Sequence, residues 1–113
     1  MMLFQPPKDT KVGFWPTGAE GKQAVAAQAD PSFVEDPAFH AVLWFLQSPQ
    51  STTHFRGWSQ CRVCGCVNGS QDYHRGEYTW PEGYLHYVIM HDVRPPAEFI
   101  QAAVAAYKAR KQA

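Results

Sequence analysis

Cys61-Arg62-Val63-Cys64-Gly65 sets two thiols two residues apart and follows them directly with a glycine. A turn that tight aims both sulfurs at one point and lets backbone N–H groups hydrogen-bond them, which makes the pair half of a metal site. The other half is offered by His86 and His91, spaced as in the H-x3–5-H half of Cys2His2 centres. The interval from Cys64 to His86, residues 65 to 85, exceeds the usual stretch of about 12 to 15 residues. A hairpin that folds out and returns would absorb the excess and leave the knuckle beside the helix. On a regular helix five residues turn through roughly 500°, so the two imidazoles differ in facing by about 140°. They can meet one ion only if the helix tightens or unwinds in its last turn, and Asp92-Val93-Arg94-Pro95 is where it should end. The expected centre is one structural Zn2+ held by Cys61, Cys64, His86 and His91. The alternative is two buried thiols beside two ordinary histidines. Cys66 could replace a histidine, form a transient disulfide or sit as a small apolar side chain, and it is left outside the ligand set.

Bulk properties favour such a cross-link. A chain of 113 residues with eight Gly and nine Pro, many of them before residue 37, has a short stretch for building a regular core. Three cysteines within six residues do not make a disulfide framework. Ten basic residues balance ten acidic ones, so long-range attraction to phosphate is weak. No apolar run approaches membrane-spanning length and no signal-peptide pattern is visible, which makes a soluble cytoplasmic protein the default.

The pattern along the chain predicts an α+β fold in one small domain: a zinc knuckle, a β-hairpin and a helix in a zinc-finger or treble-clef-like arrangement, with two further packing helices. Residues 1–35 read as an irregular segment packed on a zinc-stabilised domain of residues 36–113, with Phe4, Phe14 and Trp15 as anchors or partner contacts. Within it Ala19 to Ala29 suits a short helix, with Thr17 and Glu20 spaced as a capping box. Asp36-Pro37 opens a better helix over Ala38 to Gln47, whose Phe39, Val42, Leu43 and Leu46 fall on one face. Thr52 to Ser59 reads as a strand. Asn68-Gly69 reads as a turn, and Gln71 to Trp80 as a hairpin bent near His74-Arg75-Gly76, with His74 exposed. Thr79 and Glu82 form a second capping-box pattern ahead of a helix with Leu85, Val88 and Ile89 inward. The last helix runs from Ala97 to Lys111 with Phe99, Ile100, Ala103, Val104 and Tyr107 on one side.

Gly57-Trp58-Ser59-Gln60 leading into the cysteine pair, then Asn68-Gly69-Ser70, Trp80-Pro81-Glu82-Gly83, His86-Tyr87-Val88, His91, Val93, Pro96 and Phe99, resembles a group of short, uncharacterised bacterial proteins with a zinc-finger-like core. The resemblance spans roughly residues 57 to 99. It implies a compact zinc-knuckle unit with Cys61, Cys64, His86 and His91 as ligands, and it brings no activity with it.

Four protein ligands would fill a tetrahedral zinc and leave no position for a reactive water, so the chain reads as a non-enzyme, a protein–protein interaction module. Tyr73, Tyr78, Tyr84, Tyr87 and Arg75 are the candidate contacts for a protein partner or a second copy. A nucleic-acid-binding zinc finger is the alternative, with Arg56, Arg62, Arg75 and Arg94 as its possible basic side. It is disfavoured because the helix between Trp80 and Asp92 carries no Lys or Arg. A His-Asn-His-type metal-dependent nuclease would cast His74, Asn68 and His91 in catalysis, but its order of elements does not fit.

Overall fold

Residues 51 to 81 form an antiparallel meander that organises the chain. Pro49 closes the preceding helix, and the β-branched and aromatic run behind it extends as β2 (Ser51–Gln60), which pairs with β3 (Val67–Arg75). β3 turns through Gly76, at φ +58°, into β4 (Tyr78–Pro81). β1 (Thr10–Lys11) lies parallel to β4, with Thr10 opposite Tyr78, giving a sheet of order β1-β4-β3-β2. The computed structural model describes residues 9–110; Phe4 and Lys111 lie outside them. Among the described residues four α-helices complete an α+β domain: α1 (Gly18–Ala27), α2 (Phe39–Leu46), α3 (Tyr84–Met90) and α4 (Ala97–Arg110), with a 3-10 turn at Pro31–Glu35.

The β2–β3 register is broken in the middle. His54 pairs with Gln71 while Ser59 pairs with Gly69, so Phe55, Arg56, Gly57 and Trp58 together face the single Ser70. That bulge throws two aromatics outward: Phe55 is 55% and Trp58 71% exposed.

The core is aromatic. Trp80, Tyr84 and Phe99 are fully buried, and the Phe99 ring lies 5.1 to 5.9 Å from those of Tyr78, Phe45, Trp80 and Tyr84, edge-on to each. α4 supplies Phe99, Ile100 and Ala103 to it, three residues of the face expected from the sequence. α2 starts where Asp36 accepts a hydrogen bond from the Ala38 N–H at 2.8 Å, and it buries Val42, Phe45 and Leu46. The Trp80 indole N–H donates to the Leu46 carbonyl at 3.3 Å and ties sheet to helix.

Several local signals are overridden by tertiary partners. Thr17 makes no side-chain cap, and α1 begins at Gly18. Asn68-Gly69 is part of β3 and not a turn. A Cβ on Gly69 would lie 2.7 Å from Glu82 Cβ, and one on Gly83 2.5 Å from the Asn68 side chain, so both glycines serve close approach of β3 to the turn between β4 and α3. Glu82 does not box with Thr79: its carboxylate accepts from the Ser70 N–H at 2.9 Å. Thr79 instead donates to Asp9 at 2.7 Å. With that proton committed, Thr79 accepts from His74 Nδ1, and His74 Nε2 faces Thr53 Oγ1 at 2.8 Å. His74 is therefore half-buried in a polar ladder across three strands, not exposed at a hairpin tip. In α3 the inward residues are Tyr84, Tyr87 and Val88, while Ile89 is half exposed, because Phe99 and Trp15 pack against the tyrosine side of the helix. Truncation of Phe99 to alanine should cost about 3–5 kcal/mol, measured as a lowered urea midpoint, since four rings lose their common partner.

Candidate metal centre

The cysteine turn is closed by its own backbone. Cys61 N–H donates to the Cys66 carbonyl at 2.8 Å, Gly65 N–H to the Cys61 carbonyl at 3.0 Å, and Gly65 takes φ +76°. The Val63 and Cys64 N–H groups point at Cys61 Sγ, 3.4 and 3.5 Å away. These are the donors a thiolate in a knuckle needs.

The knuckle is held against α3 by Tyr87, whose phenol oxygen accepts the Arg62 N–H at 2.7 Å. The Tyr87 ring packs edge-on to Trp15 at 4.6 Å. Burial raises the Tyr87 hydroxyl above the usual phenol range. Arg62 in turn donates to the carbonyls of Trp15, Pro16 and Gln60, which joins the N-terminal stretch to the same turn.

His86 and His91 meet because the helix ends between them. His91 leaves helical geometry at φ −125°, and Asp92 follows in the left-handed region at φ +57°. Val93 N–H folds back onto the Tyr87 carbonyl at 3.2 Å. The imidazole centroids end 5.0 Å apart. Asp92 is exposed and acts through its backbone, accepting the Asp30 N–H at 2.8 Å.

The result is a group of four. Cys61, Cys64, His86 and His91 each offer one ligand atom, and all four atoms lie within 4.8 Å of one another. Cys61 Sγ is 3.2 Å from His91 Nε2, and Cys64 Sγ is 3.4 Å from His86 Nε2. Metal–sulfur and metal–nitrogen bonds of about 2.3 and 2.0–2.1 Å give a tetrahedron with edges of roughly 3.4–3.8 Å, so the donors fit a four-coordinate cation with slight adjustment. Cys61 is buried, the histidines are half-buried, and Cys64 faces solvent.

Cys64 is set up to ionise. The Cys66 backbone N–H, then the Cys66, His91 and His86 side chains, bring its thiol down from 9.0 to about 5. The neighbouring Cys64 sulfur raises Cys66 in compensation. Cys66 itself is exposed and so is not a small apolar core side chain.

Of the five residues expected to face a partner, Tyr78, Tyr84 and Tyr87 are buried in the core. Tyr73 is half-buried against Trp80. Arg75 donates to the Ser48 carbonyl at 2.7 Å and covers the Trp44 ring. The exposed aromatics are elsewhere: Phe14, Phe55 and Trp58 border a cavity of about 300 Å3, with Asn68, Gln71 and Asp72 among its polar lining. Phe14 was one of the contacts the sequence offered; periodicity gave no sign that Phe55 and Trp58 would be exposed, because the bulge that exposes them depends on pairing with β3.

Because the Cys64 pKa is depressed on folding, its stabilising contribution is complete above pH 9.0 and is lost as the pH falls through about 5. Thiolate absorbance of the metal-free protein should therefore show a transition near pH 5 that Cys64→Ser removes; a transition only near 9.0 would contradict a preformed knuckle. Tyr87→Phe should lower stability by about 1 kcal/mol or more in urea, by orphaning the Arg62 N–H. No protein-family model, curated protein or solved structure matches this chain, so its function is read from its own geometry.

Proposed function

We propose that this chain is a small zinc-stabilised module for protein–protein interaction, with one structural Zn2+ held by Cys61, Cys64, His86 and His91. The observation that carries the metal assignment is the convergence of two thiols and two imidazoles, from a turn and a helix end, within 4.8 Å. Mixed sulfur and nitrogen donors with no carboxylate among them suit zinc over magnesium or calcium. Bound there, zinc supplies a cross-link; the four side chains occupy its tetrahedral positions, the knuckle N–H groups stabilise sulfur, and Tyr87 fixes turn to helix.

The interaction reading draws on the aromatic rim of the cavity. Phe14, Phe55 and Trp58 are 44, 55 and 71% exposed on one surface, and Trp and Phe are favoured anchors at protein interfaces. The arginines offer less to nucleic acid. Arg62 is engaged with backbone carbonyls, Arg75 with Ser48 and Trp44, and Arg94 with Asp30 and Asp36 at 3.4 Å each. α3 has Ile89 and Met90 on its exposed side and no Lys or Arg. For the nuclease reading, His74 is taken up by Thr53 and Thr79, and Asn68 accepts from Ser59. The exposed Cys66 thiol, outside the proposed ligand set and in no disulfide, suits a reducing compartment such as the cytoplasm. Among the described residues no helix is long and apolar enough to cross a membrane.

Purified protein should contain one zinc per chain, and chelation or Cys64→Ala should markedly lower the urea midpoint of unfolding; an unchanged transition without metal would remove the structural role. A photo-cross-linking residue placed at position 58 in cells should give a discrete protein adduct that Phe55→Ser suppresses. A nuclease-sensitive adduct, or none beyond that from exposed position 22, would contradict the protein-binding role.

A further inference from the structure

A four-ligand centre leaves one donor over. Cys66 Sγ lies 3.2 Å from Cys64 Sγ and 3.5 Å from His86 Nε2, and Cys64 Sγ lies 3.4 Å from the same nitrogen. That triangle has about the dimensions of one face of the tetrahedron expected for zinc, whose edges are roughly 3.4–3.8 Å. Cys66 and His86 are thus spaced as two ligands that bind together, not as two groups competing for one corner.

The Cys66 backbone is held in place, since its carbonyl accepts the Cys61 N–H at 2.8 Å, and its solvent-facing side chain is directed at Cys64 and His86. The opposite donor comes from beyond the end of α3. His91 stands outside the regular helix, at φ −125° and next to the left-handed Asp92.

Resting on the zinc reading above, we infer that Cys66 is a reserve ligand of the same centre. When the His91 imidazole withdraws, the Cys66 thiol gives its proton to solvent and its sulfur takes the vacated coordination position. The ion then has Cys61, Cys64, Cys66 and His86 around it, again four protein ligands. A hard or borderline cation such as Zn2+ is served by the Cys2His2 form. A thiophilic cation such as Cd2+ favours the three-sulfur form, because soft metals prefer thiolate to imidazole.

Two experiments on the full chain test this. With Cd2+ as the sole metal, the 113Cd resonance of the unaltered protein should fall in the three-sulfur region, and Cys66→Ser, at an exposed position, should move it upfield to the two-sulfur region. In parallel, His91→Ala should still bind one Co2+, with stronger thiolate-to-cobalt charge-transfer absorption than the unaltered protein. Adding Cys66→Ser to His91→Ala should weaken that binding by at least the roughly 10-fold that loss of an outer partner alone costs. The same two-sulfur 113Cd signal with and without Cys66, or cobalt binding by His91→Ala that ignores Cys66, would overturn the reserve-ligand role and leave the Cys2His2 centre standing. If the unaltered protein binds neither zinc, cobalt nor cadmium, both fall.

Discussion

Everything at the candidate centre depends on where α3 stops. Had it continued through His91, the two imidazoles would diverge by about 140° and no single cation could join them. The helix instead breaks at Met90, and the left-handed Asp92 turns the chain so that Val93 is fully buried. That break is clamped from outside. Ala29 and Val93 form a bridge, Asp30 N–H donates to the Asp92 carbonyl, and Arg94 N–H to the Gln28 carbonyl at 2.9 Å. The residues that follow α1 thus hold the last turn of α3 open. This gives the N-terminal part of the chain a role in shaping the site, although none of its side chains is a ligand candidate.

The knuckle itself has little apolar burial to hold it. From Cys64 to Val67 the chain is exposed, and every residue of β2 faces solvent to a large degree. The aromatic core around Phe99 and Trp80 stabilises the helices and β4, on the other side of Tyr87. Zinc affinities in zinc-finger peptides correspond to about 10–16 kcal/mol, as large as the whole stability of an ordinary domain at about 5–15 kcal/mol. A cation bound at Cys61, Cys64, His86 and His91 would therefore be a large part of what stabilises this half of the molecule.

Much of the site was legible in the sequence, because the spacing of Cys61, Cys64 and Gly65 dictates a local turn and the residues after His91 dictate a helix end. The start of α2 just after Asp36-Pro37 and the inward face of α4 were legible for the same reason: each is set within one or two turns of chain. What stayed hidden depends on distant partners. Thr79 matches a capping pattern locally, but Asp9 and His74 take its hydroxyl. Asn68-Gly69 has the composition of a turn, yet Gly69 is small because Glu82 passes over it. The two-residue β1 carries no periodicity of its own, and β4 alone creates it. Tyr84 and Tyr87 looked like contacts for a partner because tyrosine suits interfaces, and burial against Phe99 and Trp15 claimed them instead.

The exposed aromatic surface is a product of irregularity. Four residues of β2 opposite one of β3 push Phe55 and Trp58 out beside Phe14, on the flank of the same turn that carries the thiols. Cross-linking that turn to α3 would also steady the bulge. X-ray absorption at the zinc edge of the protein as purified bears on this most directly. A four-coordinate shell of two sulfurs near 2.3 Å and two nitrogens near 2.0–2.1 Å is the predicted result, from about those bond lengths in structural sites. A shell made only of oxygen and nitrogen, or no bound zinc at all, would contradict it.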